Sequence, residues 1–205
     1  MKKLLTSLSM ALLLISLPAQ AAEMQPDELI KSTSEKVLST LEQNREKYKE
    51  QPDEINQLVN DIILPHLDFR AMSKLALGKN WRSATEDQQN RFVDAFKNML
   101  IRTYSKSLTE YAGQEIVFLP YRPPAEGKRT VTVQTQIKQN DGPVIPIDYS
   151  LRIKDDIWKV YDIKIDGISL VTNYRNTFAA DINQLGMEGL IKKLLAKSDD
   201  KPEEA

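Results

Sequence analysis

Cysteine is missing from all 205 residues, and histidine occurs once. Disulfides, thiol nucleophiles and zinc–thiolate centres are thereby excluded, and a catalytic triad or a histidine metal site would have to be built on His66 alone. That residue stands between Pro65 and Leu67 with no nucleophile's context around it, so it reads as an ordinary helix-end histidine. Glycine is scarce, with 7 residues, and no glycine-rich phosphate loop is present. Neither charge dominates: 28 basic side chains face 29 acidic ones, which leaves no electrostatic footprint for nucleic acid. Beyond Leu17 there is no second long apolar run.

The first apolar run has a short-range meaning. Lys2 and Lys3 make a basic start, Leu4 to Leu17 an apolar centre, and Ala19-Gln20-Ala21 a small-x-small cleavage site. The pattern predicts a secretory signal peptide over 1–21, because the stretch falls short of the roughly 20 residues that span a bilayer. The mature chain then starts at Ala22 and works outside the cytoplasm. Residues 198–205 predict a charged, flexible tail. Between them, 22–197 is expected to form one domain, helical over 27–112, a sheet over 115–166, and C-terminal helices over 169–197.

Within that domain the apolar period is first helical. Asp27 after Pro26 is the expected N-cap of a helix carrying Ile30, Val37, Leu38, Leu41 and Tyr48. Asp53 after Pro52 is expected to open a second, with Ile55, Leu58, Val59, Ile62 and Ile63 on one face until Pro65. Asp68 starts a shorter helix that Gly78 ends. Thr85-Glu86-Asp87-Gln88 is a capping box, and the helix behind it is expected to run unbroken to Gly113. The period then drops to two, first over Ile116 to Leu119. Val131, Val133, Thr135 and Ile137 alternate with polar residues, the Asn140-Asp141-Gly142 turn follows, and Ile145, Ile147, Tyr149, Leu151 and Ile153 alternate again. After a second turn at Asp155-Asp156, the parity breaks between Val160 and Tyr161, which predicts a bulge or burial on both faces. Asp166-Gly167 ends that strand, and Leu170, Val171, Tyr174 and Phe178 resume helical spacing. Helices, then an antiparallel meander, then helices make an α+β fold, with helices on one face of a curved antiparallel sheet.

Reactive groups are hard to assemble from this pattern. Asp148, Asp162 and Asp166 could converge on one sheet as an acid–base pair, but Asp148 falls on the polar parity and Asp166 precedes a turn glycine. Lys74, Lys79, Arg82 and Arg91 could meet a phosphate, or form a solvated face. Arg82 could lie against Trp81 or anchor the preceding loop. The aromatic inventory reads as core, or as the wall of a ligand cavity, and periodicity alone shows an inward face without showing whether it is filled.

One set of spacings is more particular. Leu77-Gly78, Trp81-Arg82, Ala84-Thr85, Phe92, Ala95-Phe96 and Thr103-Tyr104 are followed by Trp158 to Asp162, Asp166-Gly167-Ile168-Ser169, Tyr174-Arg175, Phe178, Gly186 and Gly189-Leu190-Ile191. In order and spacing they resemble the periplasmic phospholipid-binding proteins of the MlaC or toluene-tolerance family, over nearly the whole mature chain. The proline-rich stretch from Tyr121 to Gly127 lies in a loop whose length varies in that family.

The resemblance implies a nuclear-transport-factor-2-like sheet with an added helical portion, enclosing an apolar cavity for acyl chains. It implies a carrier and not an enzyme, needing no cofactor, with glycerophospholipid as cargo. The implied partners are an outer-membrane lipoprotein–porin complex and an inner-membrane ATP-binding-cassette complex with its membrane-anchored lipid-binding subunit. The implied place is the periplasm, and the implied role the maintenance of outer-membrane lipid asymmetry. A periplasmic adaptor or chaperone for protein segments, or an enzyme on the same scaffold, are the alternatives. Taken with sheet parity and helical face, the resemblance makes Met99, Thr103, Tyr104, Leu108, Phe118, Val131 and Val133 candidates for cavity wall or mouth. Ile147, Tyr149, Leu151, Val160, Ile168, Val171, Tyr174 and Phe178 complete that set, with Tyr104 and Ile168 nearest the mouth.

Overall fold

Where the apolar period is helical the chain forms helices, and where it falls to two it forms strands, in a computed structural model that describes residues 24–139 and 142–196. The signal peptide and the charged tail expected at the two ends lie outside the described residues, as do Asn140 and Asp141 of the expected turn.

Helix α1 spans Pro26–Gln43. Its flanking residue is Gln25, with Pro26 in the first turn, where a missing N–H costs nothing. Asp27 is therefore inside the first turn and not the cap, its charge set against the positive end of the helix dipole. The helix stops at Asn44, whose Nδ2 donates to the Thr40 carbonyl at 2.9 Å, and Tyr48 belongs to a separate short helix, α2, Arg45–Glu50.

The second helix expected from Asp53 is broken into pieces. A 3-10 turn covers Pro52–Glu54, α3 covers Ile55–Leu58, a π-helical turn covers Val59–Ile63 and a second 3-10 turn covers Leu64–His66. Leu64 N–H donates five residues back to the Val59 carbonyl, and Pro65 has no N–H with which to restore the ladder.

Helix α4, Phe69–Leu77, has its expected cap: Asp68 Oδ1 accepts from Ala71 N at 3.1 Å. Gly78 follows at φ 54°, a conformation that a side chain would strain. The linking Trp81 sits in a one-turn helix, α5, Asn80–Ser83. Both bonds of the capping box form, Gln88 N to Thr85 Oγ1 at 3.2 Å and Thr85 N to Gln88 Oε1 at 3.1 Å. Helix α6 runs Glu86–Tyr104 and ends before Gly113, because the chain tightens into a 3-10 segment over Lys106–Tyr111.

Strands β1 (Glu115–Phe118), β2 (Thr130–Lys138), β3 (Ile145–Lys154), β4 (Ile157–Ile165) and β5 (Ile168–Ser169) lie in sequence order, all antiparallel, in one sheet that does not close. The parity break is a bulge: Leu151 pairs with Val160 and Ser150 with Asp162, which leaves Tyr161 as the extra residue. Ile163 and Ile165 thereby return to the face of Trp158 and Val160. Asp155 and Asp156, at φ 49° and 58°, turn β3 into β4. Asp166-Gly167 turns β4 into β5, which the alternation did not foretell. Helix α7, Arg175–Ala196, changes direction at Gly186, at φ 71°.

Buried apolar side chains gather in three clusters. The helical core joins α4, α6 and α7 through Met72, Leu77, Phe92, Phe96, Met99, Val171, Phe178 and Leu190. A sheet cluster sets Leu29 and Ile30 of α1 against Val133, Leu151, Trp158 and Val160. A third cluster gathers Val37, Leu41, Tyr48, Ile55, Leu58 and Ile62.

Candidate functional site

The seam of α1 is Ile30, Ser34, Val37 and Leu41, which helical geometry stacks on one face. Ile30 lies in the sheet cluster, and Val37 and Leu41 in the third. Ser34, between them, interrupts the apolar stripe with a hydroxyl.

Opposite this seam, the inward face of β2 presents Val133, Thr135 and Ile137, all buried, and β3 presents Ile147, Tyr149 and Leu151. Thr135 pairs directly with Ile147, and Val133 with Tyr149, so Tyr149 is the diagonal neighbour of Thr135. Thr135 is 0% exposed, and its Oγ1 is buried without a hydrogen-bond partner. Burial pushes the Tyr149 phenol up from its usual range, while the nearby Thr135 and Ser34 hydroxyls draw it partly back. Thr135 is thus close enough to bear on the phenol's ionisation without meeting it in hydrogen-bonding geometry. The Tyr121 hydroxyl, from the proline-rich loop, is likewise buried without a partner and packs against the sheet cluster.

Six of the residues expected to line a cavity come together here: Phe118, Val131, Val133, Tyr149, Leu151 and Val160 share the sheet cluster. Ile147 is buried on the same strand face, and Leu108 packs against the third cluster. Others are elsewhere. Met99, Tyr104, Val171, Tyr174 and Phe178 belong to the helical core. There the Phe96 and Phe178 rings meet edge to face at 5.5 Å, Tyr174 stacks on Phe178 at 5.4 Å, and the Tyr104 and Tyr174 hydroxyls are 3.2 Å apart. Thr103 is on the exposed side of α6 and donates to the Met99 carbonyl at 2.9 Å. Ile168 is 61% exposed on β5. Leu29, Ile30, Ser34, Thr135 and Trp158 were not among the expected lining residues. The strand alternation contained Thr135 and the α1 period contained Ile30, but nothing local says that these two faces meet.

At the far end of α1 an open cleft of about 410 Å³ has Leu41, Tyr48 and Ala112 in its wall and Arg45, Lys49 and Lys106 beside them. It gives the third cluster a route to solvent.

The reactive alternatives fall apart on geometry. Asp162, 7% exposed, accepts from Ser169 Oγ at 2.7 Å, and Ser169 Oγ in turn accepts from Val171 N and Thr172 N at 3.2 and 2.9 Å. Asp162 therefore fixes the chain after β5. Asp148 accepts from Gln134 Nε2 at 2.9 Å on the polar face, and Asp166 occupies a turn. Burial, with Lys159 and Lys36 behind it, pulls the His66 imidazole down from its usual range. Arg91 pairs with Asp87 and Glu188, and Lys74, Lys79 and Arg82 are exposed. The cation over Trp81 is Arg70, 5.2 Å from the ring centroid, and not Arg82. Among the described residues no cluster of acidic or histidine side chains could hold a metal ion, and no helix is long and apolar enough to cross a membrane.

Comparison with known proteins points one way. The family model described as MlaC protein matches residues 31–196. The toluene tolerance protein ttg2D of Pseudomonas putida is 28% identical over 192 residues, covering 89% of this chain and 88% of its own. The intermembrane phospholipid transport system binding protein MlaC of Haemophilus influenzae is 25% identical over 177 residues, 84% of this chain and 82% of its own. A solved structure of a phospholipid-binding protein from Ralstonia solanacearum, in complex with a phospholipid, superposes with a TM-score of 0.76 at 32% identity, covering 84% of this chain and 96% of that one.

Proposed function

We propose, from the premise that this chain belongs to the MlaC protein family, that it is a periplasmic carrier holding the acyl chains of a glycerophospholipid between α1 and the sheet. It collects and delivers that lipid between an outer-membrane lipoprotein–porin complex and an inner-membrane ATP-binding-cassette complex with its membrane-anchored lipid-binding subunit. By doing so it helps to keep the outer membrane asymmetric. It makes and breaks no covalent bond.

One observation carries this reading: a relative of known structure, 32% identical, is described as being in complex with a phospholipid. The seam of α1 over the inward face of β2 and β3 supports it, because two apolar clusters joined along one helix suit a ligand with long apolar chains. Two sixteen-carbon chains, at about 0.8 kcal/mol per methylene, cost on the order of 25 kcal/mol to leave in water. A carrier must therefore bury nearly their whole length. We assign the lining to Phe118, Val131, Val133, Ile147, Tyr149, Leu151 and Val160, with Leu108 on the helical side. Met99, Val171, Tyr174 and Phe178 we assign to the scaffold.

Native mass spectrometry and lipid extraction on protein purified from a periplasmic fraction test the proposal. The expected result is a stoichiometric glycerophospholipid. Protein that emerges with no lipid, and takes none from vesicles, sinks it.

A further inference from the structure

The hydroxyls at the middle of the α1 seam have no part in holding apolar chains, yet they stand in its path. Thr135 is 0% exposed with an orphan Oγ1, Tyr149 stands diagonal to it on the next strand, and Ser34 approaches the Tyr149 phenol from the helix. A buried hydroxyl without a partner destabilises a protein, while a valine would fill nearly the same space without that cost. The hydroxyls also mark the level at which the sheet cluster gives way to the third cluster.

A diacyl glycerophospholipid has the complementary pattern. Below its phosphate the polar atoms are those of the ester linkages, at the level where its two apolar chains join. Ester carbonyl oxygens accept hydrogen bonds, and threonine and tyrosine hydroxyls donate them.

We propose that Thr135, Tyr149 and Ser34 form a hydrogen-bonding waist that receives the ester carbonyl oxygens of a diacyl glycerophospholipid. The waist rests on the carrier reading above and deepens it. It sets how deep the lipid sits, and it distinguishes ester-linked from ether-linked chains, which have no carbonyl to offer.

The test loads delipidated protein from vesicles of a diester phosphatidylethanolamine or of its diether counterpart with the same chain length, and measures occupancy by native mass spectrometry. The unaltered protein is expected to favour the diester by about three- to tenfold, the range of one or two ordinary hydrogen bonds. Thr135→Val and Tyr149→Phe are each expected to bring diester loading down toward the diether level. Equal loading of the two lipids by the unaltered protein, or a preference that survives both substitutions, overturns the waist and leaves the carrier standing. Loading of neither lipid overturns the carrier and the waist together. A second readout uses the delipidated chain alone. Thr135→Val is expected to raise its thermal midpoint by about 2 to 4 °C, because an unpartnered hydroxyl is removed. A lowered midpoint would show Thr135 to be satisfied without lipid, as by a buried water, and would overturn the proposal.

Discussion

The helical core and the α1 layer are both apolar, but they are built on different terms. In the core the rings of Phe92, Phe96, Tyr174 and Phe178 lock together at centroid distances of 5.4 to 5.9 Å, and polar side chains tie its elements to one another, although Ser73 Oγ on α4 is buried without a partner. Arg175, for example, reaches back with Nε and Nη2 to the Leu75 carbonyl near the end of α4, at 3.0 and 2.7 Å. The α1 layer has no such closure. Its seam is split by Ser34, Thr135 Oγ1 has no partner, and its neighbouring segment changes helical type three times between Pro52 and His66. Tight interdigitation gives the helical core its rigidity, whereas the α1 layer, with fewer such contacts, is the part that the proposed carrier would open.

Substitutions can break or sharpen this contrast. The largest effect is expected in the core. Phe96→Ala should cost about 3–5 kcal/mol in chemical denaturation, since a fully buried ring in mutual contact with three others leaves a cavity that its neighbours cannot fill. If it costs under 1 kcal/mol, the core is not the rigid partner. Next comes Val131→Glu, on the half-buried end of the inward face, where a carboxylate can still reach water. Lipid loading is expected to fall by tenfold or more, about 1.4 kcal/mol, with circular dichroism unchanged. Full loading would move the lipid away from this sheet face.

A smaller loss is expected where the two regions are tied. Asp68, 2% exposed, caps α4, donates its N–H to the Val160 carbonyl at 2.8 Å, and sits 3.4 Å from Arg152 Nε and 3.7 Å from Lys154 Nζ. Asp68→Ala should cost about 1 kcal/mol, mostly the lost cap, because both cations are well exposed. An unchanged denaturation midpoint would mean that the tie is the backbone alone. The mildest effect is alkaline. Burial first, and then the hydrogen bond to Tyr104, raises the Tyr174 phenol, and burial also raises that of Tyr149. A group whose folded pKa is raised gives its full stability below its unfolded value, about 10 for tyrosine, and loses it as pH climbs above that. Denaturation midpoints should therefore decline from pH 9.5 upward on the order of one pH unit, and Tyr174→Phe should flatten the decline. A variant that declines as steeply as the parent removes Tyr174 from the account.

Local chemistry was readable in the chain wherever a residue acts on its immediate neighbours. The Thr85–Gln88 capping box, the Asp68 cap, the positive φ of Gly78 and the bulge at Tyr161 are all consequences of a few adjacent side chains. Breaks were harder. Asn44 ends α1 through its own side chain, and Pro65 disturbs the chain behind it by an amount that propensity does not fix. Inward faces were found, but not what they face. Val133 and Val171 are equally apolar and equally buried, and one lies against α1 while the other is locked among Phe96, Phe178 and their neighbours. Family resemblance pointed to lipid, whereas the proposed division of lining from scaffold depends on contacts between elements far apart in the chain.

The short connection at the end of the meander bears on a different property. The outer rim of β4 is occupied from Val160 onward: β5 pairs with its last residues, Leu170 N donates to the Ile163 carbonyl at 2.8 Å, and Asp68 N donates to the Val160 carbonyl. Open strand edges are where folded chains add to one another and grow into fibres. With most of this rim taken, the open backbone lies on the other side, in the four residues of β1 and at Thr130 to Val133 of β2, which β1 does not reach. A carrier that opened for lipid as proposed would expose its apolar interior with only short lengths of free strand edge beside it on which neighbours could aggregate.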